Sequence, residues 1–305
     1  EPARAGATRA EPMVEGTNAS APAKRRARAT TSFMFSAIGE SERRGRASGE
    51  RAHIPYRNSE LTRLLQESLG GQIPRVAVIT PYYTESLALL EQCHQSVRAQ
   101  SEPCLHVLVS DGHPRPRINH WNAEHVRLPR SHGDIGSTPR LIGCYHAIGL
   151  GVEAVAFLDA DNWYGPDHIA HLLEVMDEQQ ADFVSSSRTL CRLDGSVMGP
   201  CPLTDQERFI DTNAMLFGRG SFHQLHQWVL MPDYGHLIGD RVMLHHIKQL
   251  GVKRQHIDQA SVFYRCAKEG LYRQMGEAIP EGVQPRPNYE DSFDRWEADG
   301  LPPLR

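Results

Sequence analysis

Hydrophobic and polar positions alternate along this chain in a rhythm that is clearest from residue 74 onward. Residues 75–80 (R-V-A-V-I-T) form a short apolar run of strand type. Residues 85–100 then place apolar side chains at helical spacing, and residues 104–110 (C-L-H-V-L-V-S) give a second strand that stops at Asp111-Gly112. A helix is predicted over 140–150. A third strand over 154–158 (A-V-A-F-L) runs into Asp159-Ala160-Asp161-Asn162. Further on, the pattern predicts a helix over 167–176 with Pro166 at its start, a strand over 181–185 and a helix over 242–250. Strands alternating with helices predict an α/β domain, its sheet mainly parallel and covered by helices on both faces.

Ligands of such sheets bind beyond the C-terminal strand ends. Thr80, Asp111 and Asp159 each stand at one of those ends. Asp159 and Asp161 carry the most specific chemistry. Two residues apart in an extended chain, they face the same side about 7 Å from each other. Like charges at that spacing repel by roughly 2 kcal/mol at an effective dielectric of about 20. A hard divalent cation, which takes oxygen ligands and shares them with substrate phosphates, would relieve that repulsion. A plain strand-end turn carrying two solvated carboxylates is the alternative.

Composition changes the picture at the N-terminus. The first 70 residues hold 12 Lys and Arg against 8 Asp and Glu, and the remainder holds 21 against 29, within a net charge of −4. Residues 1–31, rich in Ala, Arg, Glu and Pro with little to bury, are expected to be a disordered basic tail. The six cysteines contain no C-x-x-C pair and the 16 histidines no H-E-x-x-H, so neither a disulfide framework nor a zinc site is expected. No apolar run reaches the roughly 18 residues of a membrane span, and no signal peptide is recognisable. A cytoplasmic location is expected, either free or peripheral to the inner face of a membrane. The chain begins at Glu1 rather than Met, so further sequence is expected upstream.

In residues 53–71 (H-I-P-Y-R-N-S-E-L-T-R-L-L-Q-E-S-L-G-G), Ser59 can cap a helix with a Leu61, Leu64, Leu65, Leu69 stripe. This stretch, with Ser36-Ala37-Ile38-Gly39-Glu40 before it, resembles a microtubule-facing part of kinesin motor domains. The kinesin-like fragment covers residues 32–73 at most and is mostly one helix. No G-x-x-x-x-G-K-[ST] phosphate loop accompanies it, so ATP-driven movement is not expected, and docking on microtubules is the less favoured reading of the fragment.

Four segments resemble the family 2 nucleotide-sugar glycosyltransferases. These are Val76–Tyr83 (V-A-V-I-T-P-Y-Y), Val107–Gly112 (V-L-V-S-D-G), Gly136–Gly143 (G-S-T-P-R-L-I-G) and the D-x-D strand end Phe157–Asn162, in the family's order and spacing. The resemblance spans residues 74–265. It implies a GT-A fold, Rossmann-like and α/β; the domain is expected over 74–280, with 281–305, rich in Pro and charge, as a C-terminal tail. It also implies a nucleotide-diphosphate sugar donor, in which UDP is the usual nucleotide, an acceptor that is a saccharide or lipid-linked hydroxyl, and Mn²⁺ or Mg²⁺. By the same resemblance Thr80 and Tyr82 lie near base and ribose, Asp111 accepts from the base, and Arg140 meets the diphosphate. Leu141 replaces the Asn usual after that Arg. Asp159 and Asp161 are the metal residues, with His256 as a candidate third ligand. Asp240 stands where the family has its catalytic base, with Gly239 replacing the commoner Glu before it; a helix N-cap is its ordinary alternative. Residues 211–215 are expected along the sugar or acceptor side. No Q-x-x-R-W motif follows, which argues against a processive synthase.

Two other readings use the same residues. A haloacid-dehalogenase-type phosphatase also has D-x-D after an apolar strand, but near the domain start. A sugar nucleotidyltransferase would carry a Gly-rich, Arg-containing loop directly after its first strand, where this chain has Pro81-Tyr82-Tyr83-Thr84-Glu85. A non-enzymatic microtubule-associated protein built on residues 32–71 is the third alternative.

Overall fold

The computed structural model describes residues 73–304. The expected basic tail and the kinesin-like fragment therefore lie outside the described residues, apart from position 73. The strands are β1 (Val76–Tyr82), β2 (Cys104–Asp111), β3 (Glu124–Leu128), β4 (Ala154–Phe157), β5 (Trp163–Tyr164), β6 (Phe183–Cys191), β7 (Val197–Pro200), β8 (Met215–Gly218) and β9 (Arg254–Arg265). The helices are α1 (Leu87–Arg98), α2 (Ser137–Leu150), α3 (His168–Glu178), α4 (Gln227–Leu230), α5 (Gly239–Gln249), α6 (Glu269–Met275) and α7 (Tyr289–Ala298).

The sheet runs in the order β3-β2-β1-β4-β8-β6-β9-β5, with β7 paired to β6 at the side. β3, β2, β1 and β4 are mutually parallel, as are β6 and β9. β8 enters antiparallel between β4 and β6. All seven residues of β1 are buried, as expected for a central strand covered on both faces. Neighbouring residues of β1 show that cover. A Cβ on Gly143 of α2 would lie 2.6 Å from Ile79 Cγ2 and 2.8 Å from Val109 Cγ2, so α2 lies against one face. The next residue, Thr80, points the other way and meets Cys93 of α1 at 3.6 Å.

This close approach makes a stability prediction. Gly143→Ala should destabilise the domain by about 1–2 kcal/mol, because overpacking costs about 1–3 kcal/mol and the gain in helix propensity returns at most about 1. A lower urea midpoint tests it; an unchanged or higher midpoint would mean that α2 can move off the sheet freely.

Two features departed from the expected pattern. β3, β5, β7 and β8 are segments of two to five residues that no periodicity marked. The segment set apart as a tail also folds onto the domain. Within it α7 buries Trp296 to 2% exposure in the main core, where Leu304 joins it, and Trp296 Nε1 donates to Pro302 O at 2.9 Å. Its high charge hid a single core-facing stripe. All six cysteines are free thiols, five of them buried. Among the described residues no helix is long and apolar enough to cross a membrane.

Candidate active site

The parallel strands β1, β2 and β4 end together, and side-chain alternation sorts the residues at their ends. Thr80 and Tyr82 face α1. Thr80 is fully buried, its hydroxyl 2.9 Å from His106 Nε2. Tyr82 is 2% exposed; its hydroxyl lies 2.7 Å from His125 Nε2 and accepts from Arg115 N at 3.0 Å. Both polar groups are thus engaged inside the protein. Asp111 faces the α2 side. Its carboxylate accepts from the backbone N–H of His132 at 3.1 Å to each oxygen, and Oδ1 lies 2.6 Å from His132 Nδ1. Gly112, with φ +81°, lets the returning chain cross closely: a Cβ there would lie 2.5 Å from Ser131 N.

α2 begins at the same rim. Gly136 precedes it with φ +81°, and Thr138 N donates to Asp134 Oδ2 at 2.8 Å. The free N–H groups and positive dipole end of a helix favour an anion at such a place. One turn in, Arg140 is nearly buried. It donates to Ile135 O at 3.1 Å and to Asp159 Oδ1 at 2.6 Å, and lies 5.0 Å over the Trp228 ring. Its guanidinium therefore fixes Asp159 from one side.

Asn213 fixes Asp159 from the other side. Its Nδ2 donates to Asp159 Oδ2 at 2.9 Å and its Oδ1 accepts from Asp159 N at 2.5 Å. Asp211 orients Asn213 in turn, accepting from Asn213 N at 2.9 Å and Nδ2 at 2.7 Å. The second Asp211 oxygen accepts from Arg188, a buried pair with side chains 9% and 4% exposed. Arg188 also sits 4.2 Å over the Tyr264 ring. The sequence marked residues 211–215 but gave no sign that Arg188, 23 positions earlier, would complete the chain Arg188–Asp211–Asn213–Asp159. Breaking one half of a buried ion pair costs about 3–5 kcal/mol. Arg188→Leu should thus show a markedly lower denaturation midpoint, and an unchanged midpoint would mean that Asp211 finds another partner.

Asp161 differs from Asp159. No other described residue donates a hydrogen bond to its carboxylate, and burial, with the charge of Asp159 second, pushes its pKa up to about 7. Its backbone is held firmly: Arg265 Nε donates to Asp161 O at 3.1 Å, and Arg265 N donates to Asn162 Oδ1 at 2.8 Å. Arg265 also reaches Gln92 Oε1 at 2.6 Å and Leu193 O at 2.5 Å. A carboxylate to which no other described residue donates, beside a second one, suits a hard divalent cation that takes its remaining oxygens from phosphate and water. Among the described residues no three His, Cys, Asp or Glu side chains gather as a metal-binding group.

His256 does not join the aspartates. It pairs with Ser185 across β6 and β9, with Ser185 Oγ 2.9 Å from its Nδ1. Arg265, which touches Asp161, pairs with Cys191, six residues further along β6 or about 20 Å. A histidine in a strand gave no sequence signal of which end of that strand it would occupy.

Asp240 lies in the first turn of α5, where Ile238 rather than Asp240 is the N-cap. Asp240 Oδ1 accepts from Arg241 N at 2.8 Å. Burial, and then the charge of Asp211, push its pKa up to about 6, while Arg241 and Arg188 oppose the rise. Asp240 is thereby coupled electrostatically to the network that ends at Asp159. Tyr289 of α7 feels the charge of Asp240, so the C-terminal segment also contributes to this region.

Residues 77–247 match the model of Glycosyl transferase family 2. The crystal structure of S. aureus TarS 1-349 in complex with UDP-GlcNAc aligns with a TM-score of 0.50 at 13% identity, over 72% of this chain and 64% of that one, a likeness of fold. Short matches to motor proteins also occur. Kinesin-like protein Klp61F of Drosophila melanogaster is 46% identical over 56 residues, 17% of this chain and 5% of that protein. Kinesin-like protein KIN-4B of Arabidopsis thaliana is 41% identical over 75 residues, 23% of this chain and 7% of that protein. The chain thus spans only a small fraction of these motors and just under two thirds of the TarS fragment. The matched stretch runs from β1 to α5 and holds the rim, the D-x-D turn and Asp240: the chain belongs to glycosyl transferase family 2.

Proposed function

We propose that this chain transfers a sugar from a nucleotide-diphosphate donor, UDP-linked, to an acceptor hydroxyl, with inversion and with Mn²⁺ or Mg²⁺. The observation that carries this reading is Asp161: a carboxylate to which no other described residue donates, beside an Asp159 locked by Arg140 and Asn213, at the strand ends of a family 2 domain. TarS was crystallised with UDP-GlcNAc, and a UDP-linked donor is the reading extended here.

In this reading Asp161, with Asp159, would hold the ion, which when bound supplies positive charge to the leaving diphosphate. The N-terminus of α2 favours the same negative charge. Asp111 takes a donor N–H of the base. The acceptor oxygen attacks the anomeric carbon as the carbon–oxygen bond to the diphosphate breaks, and Asp240 accepts the acceptor's proton. Arg188 and Asp211 set the field around that base. Arg140 acts by fixing Asp159. The acceptor is a saccharide or a lipid-linked hydroxyl.

Release of UDP from a panel of UDP-sugars, measured with Mn²⁺ and with EDTA, tests this reading. Metal-dependent release from at least one sugar is expected. Release that is equal in EDTA would overturn the metal, and absence of release with every UDP-sugar alongside release from another nucleotide's sugar would overturn the donor.

A further inference from the structure

The contacts of Asp111 carry more than its position. A carboxylate offers four lone-pair positions on two oxygens and only accepts. At Asp111 the two oxygens are not equivalent. Oδ1 accepts from His132 Nδ1 at 2.6 Å and from His132 N at 3.1 Å, whereas among the described residues Oδ2 accepts only from His132 N, at 3.1 Å. The imidazole is held there by the chain beneath it. Ser131 Oγ donates to Asp111 O at 3.1 Å, and the Arg130–Ser131 backbone crosses Gly112 too closely to admit a Cβ. The side chains of Asp111 and His132 are 10% and 24% exposed, so the pair stands at the surface of the rim with little room around the carboxylate.

We propose that His132 is a base-specificity residue, which lets Asp111 accept one N–H from a nucleobase and no more. This inference rests on the reading that Asp111 faces the base of the donor. Uracil presents a single imide N–H between two carbonyls, and the free position on Oδ2 satisfies it. Guanine presents two adjacent donors, N1–H and the exocyclic N2–H₂, which bind a carboxylate through both oxygens. With Oδ1 held by the imidazole, guanine either leaves a donor unpaired in a confined site or breaks the His132–Asp111 bond. Cytosine turns an acceptor nitrogen toward the carboxylate and is repelled. A site built to bond polar groups discriminates strongly against a ligand that leaves one unpaired.

Binding of UDP and of GDP to the full chain, titrated calorimetrically with Mg²⁺, tests the proposal in wild type, His132→Ala, His132→Ser and Asp111→Asn. Wild type should bind GDP at least about tenfold more weakly than UDP, the factor expected for one charge-assisted hydrogen bond. In His132→Ala and His132→Ser, which keep the backbone N–H, that gap should close by about the same factor through tighter GDP binding. An unchanged gap in both folded variants, with UDP still weakened in Asp111→Asn, would overturn the role of His132 and leave Asp111 at the base. UDP affinity unaffected by Asp111→Asn would instead overturn the placement of the base, and this proposal with it.

Discussion

Asp161→Asn should abolish metal-dependent donor binding and reduce transfer by about a thousandfold or more, since a metal ion contributes several kcal/mol of charge stabilisation. The asparagine matches the shape of the carboxyl group and removes only its charge. Folding is not at risk from lost partners, because no other described residue donates to that carboxylate and its charge is opposed by burial and by Asp159. Asp159 behaves differently. Its two oxygens are already bonded to Arg140 and Asn213, so Asp159→Asn would disturb the rim as well as the charge. Titration of UDP with and without Mn²⁺ separates the two. Wild-type affinity for UDP in Asp161→Asn, with the same enhancement by Mn²⁺, would refute the role of Asp161.

Asp240→Asn should lower transfer by about 10²–10⁴, the usual contribution of a general base, while leaving donor affinity nearly unchanged. The base works only when ionised. With its pKa raised to about 6 by burial and Asp211, transfer at Mn²⁺ concentrations that keep Asp161 ionised and loaded should decline as pH falls below about 6 and level off above it. Stability runs in the opposite sense. The folded state binds this proton more tightly than the unfolded chain does, so the contribution of Asp240 is most favourable below about pH 4 and is lost as pH rises through about 6. Asp240→Asn should therefore melt no lower than wild type at pH 8 while losing turnover. A large fall in melting temperature at that pH would show that the loss of turnover comes from misfolding. Full turnover in the folded variant would remove Asp240 from the mechanism.

Residues buried on both faces were the most legible in the sequence. β1, β2 and β4 announced themselves as continuous apolar runs because helices cover both sides, and their ends located Asp111 and Asp159 correctly on one rim. The short β8 was illegible, since Met215-Leu216-Phe217-Gly218 is too brief to show a period. Side-chain direction was only partly legible. Alternation places Thr80 opposite Ile79, yet the depth of its burial against His106 depends on α1, which lies elsewhere in the sequence. Long-range partners were not legible at all. Arg188 and Arg265 are ordinary strand arginines until β6, β9 and the D-x-D turn come together, and His132 is one residue in a polar loop until Gly112 lets that loop cross. Periodicity marked a helix only from residue 242, so Asp240 was expected just before it rather than in the first turn of α5, and its coupling to Asp211 depends on tertiary structure.

The central claim is that a divalent ion joins the Asp159–Asp161 turn to the diphosphate of a nucleotide sugar whose base rests at Asp111. Anomalous diffraction from crystals grown with Mn²⁺ and UDP tests it most directly. The account predicts a manganese peak bonded to Asp161 and to diphosphate oxygen, with uracil against Asp111 Oδ2. Manganese bound elsewhere, or UDP seated away from this rim, would contradict it.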